Sequence, residues 1–508
     1  MGLSIGIDLG TSNSTAAVYR RGKVESIPIE GKKVLPSVVS YKDNGQILVG
    51  HSAKARLYID PQNTVSSSKR FIGDSNKQYH IHNNALTPVD IAQEILKKVK
   101  TEASKYLGEE VKDAVITIPA YFTDEQREAT KKAGELAGFN VLRLLSEPTA
   151  AAIAYGLDKE RNQTIMVYDL GGGTFDVSIL KVEGNSFEVE AVDGDSLLGG
   201  DDFDEKIMEY LLNKVKRGTG SSQQSAGSLS IQRIKEAAEE AKKELSESEF
   251  TDISIPDIFD THIDEELDIK TFNEMIQPLL ERTISKINEV LEEADLTKRD
   301  ISRVILVGGS TRMRAVQEAV TQNIKKPYIA DNVDEIVAQG AAIMAANLSA
   351  PSIDAAPVPI EVKDVTAHSL GIGFFSENDE YRVVHLIKRN TVLPCTGAEM
   401  GFTRYPNQKN VRMAVYRTND TIPLDEHLLG ELVLSVTPKE EPVSVVALFE
   451  LDNSGVLTFS SAELSPDSDL FREYSQTEVI NLRALKEMIE NKELKIKQAT
   501  IDTNKQEA

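Results

Sequence analysis

Two Asp-Leu-Gly turns dominate the chemistry this chain can do. They are Asp8-Leu9-Gly10-Thr11-Ser12-Asn13 and Asp169-Leu170-Gly171-Gly172-Gly173-Thr174-Phe175-Asp176, each set between two short apolar runs. That spacing predicts strand, tight glycine turn, strand, used twice. Glycine lets the backbone approach a ligand closely and turns N–H groups towards it. An aspartate beside each turn suits a hydrated divalent cation. Two such hairpins facing each other would grip the phosphates of one nucleotide. Either turn alone reads equally well as an ordinary Asx-Gly hairpin; the pair carries the signal.

A third glycine turn, Val304 to Arg312, reads as a buried strand, the Gly308-Gly309 pair, Ser310 and a helix start. A helix N-terminus offers N–H donors to an anion. The planar guanidinium of Arg312 suits an adenine ring. The alternative is a strand–helix connection that needs small residues only for packing. Neither a P-loop nor a G-x-G-x-x-G fingerprint occurs. Asp8, Glu147 and Asp169 are hard oxygen ligands suited to Mg²⁺ through its water shell. Phosphoryl transfer depends on charge neutralisation and placement. It needs a lysine near the γ-phosphate, and spacing alone does not choose one.

Residues 1–350 alternate strand-like runs with helical stretches, an α/β signature. Thr123-Asp124-Glu125-Gln126 is a capping box that starts a helix ending at Gly138, and Ser146-Glu147-Pro148 opens another. Arg217 to Ser230 reads as a Gly/Ser/Gln surface loop, followed by a helix to Leu245. Residues 351–365 form a linker, and 366–475 read as short strands separated by turns. One helix is expected over 476–498, with Leu482, Leu485, Ile489 and Leu494 on one side, and a disordered tail over 499–508.

The chain has 508 residues, 40% hydrophobic and 27% charged, which fits a soluble globular protein of two to four domains. A formal net charge of −23 argues against nucleic acid or an anionic membrane as partner. The single cysteine, Cys395, excludes a disulfide framework. No signal peptide, membrane span or myristoylation signal is evident, so a cytoplasmic location is expected.

Longer motifs identify a relationship. They are Ile5 to Thr11, Ala114 to Phe122, Ser146 to Ala152, Asp169 to Asp176, Leu198 to Phe203 and Ile305 to Arg312. Through them the chain resembles the seventy-kilodalton heat-shock chaperones of the DnaK family, along nearly its whole length to about residue 460. The resemblance implies an actin-like, two-lobed ATPase domain, an all-β sandwich that binds extended apolar peptides, and a short C-terminal helix. It implies ATP or ADP with Mg²⁺ and K⁺. It also implies client polypeptides, a J-domain co-chaperone and a nucleotide-exchange factor as partners.

Carried over by position, Lys69 matches the lysine that orients the attacking water. Glu147 and Thr174 match the γ-phosphate neighbours, and Asp8, Asp169 and Asp176 the metal-organising carboxylates. The phosphate cradle comprises Gly10, Thr11, Ser12, Asn13, Gly171, Gly172, Gly173, Gly200, Gly308, Gly309 and Ser310. Glu239, Lys242 and Ser246 match ribose and adenine contacts, facing Arg312 and Asp334. Lys243 stands where some members stack an arginine on the base. Pro119 and Arg127 match the relay to the peptide domain, and Ile360 and Val362 the coupling linker. Ile372, Phe402, Val411 and Met413 match a pocket for one leucine-like side chain, and Phe375 and Tyr405 an arch over the peptide. The segment between Gly73 and Pro88 is short, which resembles the HscC-like bacterial branch, and the helical lid is nearly absent.

The resulting expectation is an ATP-driven, lidless peptide chaperone. The alternative is an ATP-binding co-chaperone or exchange-type homologue with little hydrolysis. A sugar kinase or actin-like filament protein on the same fold is disfavoured by the all-β region after residue 365.

Overall fold

The first Asp-Leu-Gly turn closes a hairpin because apolar and β-branched residues alternate on both sides of it. Ser4–Leu9 (β1) and Asn13–Arg20 (β2) pair antiparallel, with Asp8 opposite Thr15, and Lys23–Ser26 (β3) continues the meander. Asp113–Ile118 (β4) then joins β1 in parallel and Asn140–Ser146 (β5) joins β4, giving the order β5-β4-β1-β2-β3. A parallel pair needs a crossover, supplied between β4 and β5 by Asp124–Leu136 (α1). The expected capping box is present there: Thr123 accepts from Gln126 N–H and the Gln126 side chain accepts from Thr123 N–H.

The second turn repeats the plan. Gln163–Leu170 (β6), Phe175–Glu183 (β7) and Ser186–Asp195 (β8) form the meander, and Arg303–Val307 (β9) and Tyr328–Ile329 (β10) add in parallel beyond β6. The sheet continues past β8 with Glu361–Lys363 (β11). Both lobes therefore place an Asp-Leu-Gly turn at the end of the first strand of a meander, beside parallel strands.

This computed structural model describes residues 3–156, 162–219, 228–258, 261–329, 332–349, 359–376, 378–477, 479–494 and 496–499. Residues 220–227 of the expected Gly/Ser loop and 350–358 of the expected linker lie outside them. Glu147–Gly156 (α2) is a short helix rich in alanine. Gly200–Thr219 (α3), Ser228–Leu245 (α4), Ile269–Glu293 (α5) and Arg314–Asn323 (α6) bury Phe203, Ile234, Phe272 and Val316 in one core with Tyr168 and Phe175. Ile336–Ser349 (α7) crosses α2 at small residues, where a Cβ on Gly340 would land on the Ala150 carbonyl. Among the described residues no helix is long and apolar enough to cross a membrane.

The chain divides into two compact units, 1–363 and 364–508. The second is a sandwich of two antiparallel sheets. One contains Leu370–Phe375 (β12) and Tyr381–Ile387 (β13). Cys395–Phe402 (β14) belongs to the other. Asn410–Arg417 (β15) and Leu428–Ser435 (β16) complete the first in the order β13-β12-β15-β16. Ser444–Leu451 (β17), Leu457–Leu464 (β18) and Lys497–Ala499 (β19) complete the second in the order β14-β17-β18-β19. Leu370, Met413, Val445 and Phe449 lie in the core between the sheets.

The C-terminal expectation is corrected. In place of one helix over 476–498 there are two, Asp469–Thr477 (α8) and Leu482–Glu490 (α9), followed by strand β19. Local polar side chains set the break. Ser468 Oγ accepts from Phe471 N–H, Asn481 Oδ1 accepts from Ala484 N–H, and Lys492 takes a positive φ of 59°. Residues 497–499 pair with Ser461, Ser460 and Phe459, so the expected tail boundary at 499 falls inside a strand. Residues 500–508 lie outside the described residues. The helices press Leu470 and Leu485 onto Met400, Val446 and Leu464, on the outer face of the second sheet.

Candidate nucleotide site

The two Asp-Leu-Gly hairpins meet across a cleft of about 680 Å³ in the first unit. Asp8, Gly10, Thr11, Ser12 and Asn13 line one wall, and Asp169, Gly171, Gly172 and Thr174 the other. Their approach demands glycine, because a Cβ on Gly172 would land on Ser12 Oγ. Gly308, Gly309, Ser310 and Arg312 supply the third wall. Gly308 has φ +84°, and a Cβ there would strike the Leu170 carbonyl. Ser310 Oγ donates to the Gly171 carbonyl at 2.8 Å, joining the second and third turns. Gly200 closes the cradle at the start of α3. Of the expected nucleotide residues, Gly173 and Asp176 lie behind the wall. Gly173 packs on Thr11 and Arg70, and Asp176 is buried and accepts from Tyr121 N–H at 2.8 Å.

Lys69 sits on a short 3₁₀ turn, Ser68–Phe71. It is buried, and its Nζ donates to Glu147 Oε1 at 2.7 Å. Asp8 keeps a face open to the cleft but is otherwise enclosed. Burial, then the Glu147 charge, push its carboxyl up to about 7 against the pull of Lys69, while Thr117 Oγ1 donates to it at 3.1 Å. Burial pushes Asp176 up to about 7, and burial with Glu147, Asp176 and Asp8 nearby holds Asp169 well above the carboxylate range. Three aspartates and Glu147 thus surround one lysine, an excess of negative charge that fits a cation. Among the described residues no three such side chains converge closely enough to ligate an ion directly. The arrangement therefore fits a cation that keeps its water shell.

At the nucleoside end, Glu239, Lys242, Lys243, Ser246, Arg312 and Asp334 all line the cleft. Arg312 is held by Asp334 at 2.7 Å and Lys243 by Glu239 at 2.6 Å. Ser246 Oγ donates to the Lys242 carbonyl at 3.1 Å. Lys242 is buried and bridges the Gly200 carbonyl at 2.9 Å and Asp204 at 2.7 Å. Burial pushes Asp204 up to about 6 while Lys242 pulls it down.

Sequence reasoning missed Asp204, although it directly follows the Leu198 to Phe203 motif. It also missed Lys54, which reaches Glu239 at 3.7 Å across the cleft. A third omission was Arg70, which pairs with Asp202 at 3.1 Å. The Lys54 and Arg70 contacts join segments more than 100 residues apart, so no local pattern marks them.

A family model described as Hsp70 protein matches residues 4–508. The chain belongs to the Hsp70 family. Hsp70 proteins are ATP-dependent chaperones that bind ATP or ADP with Mg²⁺ and work with client polypeptides, J-domain partners and exchange factors.

In this Hsp70, Pro119 directly follows β4 and Arg127 is buried, with Nε donating to the Phe122 carbonyl at 3.1 Å and Nη2 to the Ala120 carbonyl at 3.0 Å. Those bonds hold the turn whose Tyr121 N–H grips Asp176. Of the linker, Ile360 N–H donates to Asn347 Oδ1 at 3.3 Å, and Val362 pairs with Phe187 in β11, parallel to β8. Lys363 adds an ion pair to Glu188 at 3.5 Å.

In the sandwich, Ile372 and Met413 belong to the inner core and Val411 packs against it. Phe402 lies apart from those three. It follows Met400 by two positions, so strand alternation sends it to the face carrying α8, where its ring meets Phe471 edge-on at 6.4 Å. Phe375 meets Tyr381 at a tilt, with ring centroids 4.8 Å apart, and Tyr405 is 61% exposed.

Proposed function

We propose that this Hsp70 is an ATP-driven chaperone that holds short, extended, apolar segments of unfolded proteins and is switched by hydrolysis. The observation that carries this reading is the Lys69–Glu147 pair, buried at 2.7 Å among three aspartates. A protein that only binds ATP needs the glycine cradle and the nucleoside end. A buried cation set among the carboxylates adds what hydrolysis needs beyond binding, a group that can orient water and offset developing charge.

In this reading Lys69 positions the attacking water and offsets charge developing on the γ-phosphate. Glu147 orients Lys69, and Thr174 with the Gly171 to Gly173 backbone steadies the phosphates. Asp8, Glu147, Asp169 and Thr174 would hold Mg²⁺ and K⁺ through their water shells, with Asp176 adding negative charge from behind the wall. Mg²⁺, when bound, neutralises phosphate oxygens as bond breaking proceeds. Arg127 carries the state of Asp176 through Tyr121 towards the linker, and Ile360 and Val362 transmit it to the sandwich. Ile372, Val411 and Met413 favour a leucine-like anchor. The short segment between Gly73 and Pro88 folds as one small hairpin and supports placing the chain with the HscC-like branch.

Single-turnover ATPase measured with and without a leucine-rich peptide tests the reading. Turnover that the peptide accelerates is expected. Tight ATP binding without turnover would favour the co-chaperone or exchange-type alternative.

A further inference from the structure

The resemblance implies that Phe375 and Tyr405 form an arch over the peptide. The guanidinium of Arg404 lies over the Phe375 ring, with Cζ 3.9 Å from its centroid and 5.5 Å from that of the neighbouring Tyr405. Both distances fall within cation–π range. Its Nη2 also donates to Asp379 Oδ1 at 2.7 Å. Arg404 lies between β14 and β15 and Asp379 between β12 and β13, so their pair joins two connections at the rim of the sandwich.

Both loops are built to hold this placement. Gln408 Oε1 accepts from the N–H groups of Arg404 at 3.0 Å and Tyr405 at 3.3 Å, while its Nε2 donates to the Asn410 carbonyl at 2.7 Å. Across the rim, Asp379 N–H donates to the Ser376 carbonyl, and Ser376 N–H to the Glu380 carbonyl, each at 2.9 Å.

We propose that Arg404 is a specificity-determining residue. Its guanidinium, held over Phe375 and paired with Asp379, favours apolar peptides with an acidic residue beside the anchor over those with a basic one. The inference rests on the peptide-binding reading above. A guanidinium has five N–H donors in one plane, and Asp379 engages one nitrogen of it. A peptide carboxylate finds a fixed cation there. A peptide lysine meets like charge and competes for Asp379, a repulsive element of the kind that sets specificity. The Arg404 side chain is 36% exposed and that of Asp379 73%, so screening keeps the effect modest, about two- to fivefold in affinity.

The test uses the full chain with ADP and three labelled peptides that share one leucine-rich core, flanked by Glu, Gln or Lys. Dissociation is followed by fluorescence anisotropy for wild type, Arg404→Gln and Asp379→Asn, with ADP binding and the thermal transition confirming folding. Wild type should release the Glu-flanked peptide about two- to fivefold more slowly than the Lys-flanked one. Arg404→Gln should level the three, and Asp379→Asn should widen the spread, because the guanidinium is then unpaired. A role confined to loop shape would move both variants the same way. That result, or an unchanged ranking in Arg404→Gln, overturns the proposal. Failure of the wild type to hold any of the three peptides would instead defeat the groove reading on which it rests.

Discussion

Replacing Lys69 by alanine separates its catalytic part from its structural one. The Lys69 and Glu147 side chains are 7% and 10% exposed and 2.7 Å apart. Removing the lysine leaves Glu147 buried beside Asp8 and Asp169 without a counter-charge. Breaking a buried pair in this way costs about 3–5 kcal/mol. The loss has a ceiling, since a carboxyl with an ordinary pKa near 4.3 costs about 4 kcal/mol to protonate at pH 7. Lys69→Ala should therefore lose about 3–4 kcal/mol of nucleotide-free stability at pH 7. The deficit should shrink as pH falls, because the stranded carboxyl then takes its proton more cheaply. The Lys69→Ala, Glu147→Gln double variant should recover most of that stability. Hydrolysis should behave differently. Losing a group that positions water and offsets developing charge typically costs about 10²–10³-fold, and the double variant restores no cation, so both should be slow. ATP affinity should stay within about tenfold of wild type, because the glycine cradle and the nucleoside end are untouched. Urea unfolding and single-turnover hydrolysis read the two effects separately. Hydrolysis by Lys69→Ala within tenfold of wild type would refute the assignment of Lys69, whatever the stability change.

Three further outcomes are expected. Mg²⁺·ADP binding should release protons near neutrality, because Asp8, which lines the cleft and is pushed up to about 7 by burial and the Glu147 charge, is about half protonated at pH 7 and must ionise beside a cation. Affinity should then weaken as pH falls below 7, by up to about tenfold per pH unit for each proton released. Calorimetric heats that do not vary with the buffer's ionisation enthalpy would contradict this. The Ile360→Asp, Val362→Asp variant should lose the β11 strand opposite Phe187 and keep nucleotide affinity. It should abolish the effect of ATP on peptide release, typically 5–150-fold for such coupling; unaltered coupling would make the linker a passive tether. Peptide release in ADP should be fast, because α8 and α9 are nine residues each and are packed on the outer face of the second sheet. Release over hours in a stopped-flow chase would count against it.

Local pattern reads well wherever one short segment supplies the physical cause. The Asp-Leu-Gly turns, the Thr123 capping box and the helix at Glu147 are of this kind, since each depends on glycine, a cap or a proline within a few residues. The C-terminal region shows the limit. Leu482, Leu485 and Ile489 do mark one helical face, but apolar spacing is silent about Ser468 and Asn481 starting two separate helices. It is equally silent about Lys497 to Ala499 finding a sheet edge, because an edge strand is defined by the partner it meets.

The sequence by itself determined that phosphate-cradling glycines and cation-binding carboxylates were present, because those roles belong to residue type and local spacing. Tertiary structure decided which of them act on one another. It brought Lys69 to Glu147 across 78 positions, set Gly172 against Ser12, and laid Arg404 over the Phe375 ring. It also stationed Phe402 on the helix-covered face. These outcomes follow from sheet pairing, strand alternation and charge compensation in a buried site, which are properties of neighbours in space and leave no periodic trace along the chain.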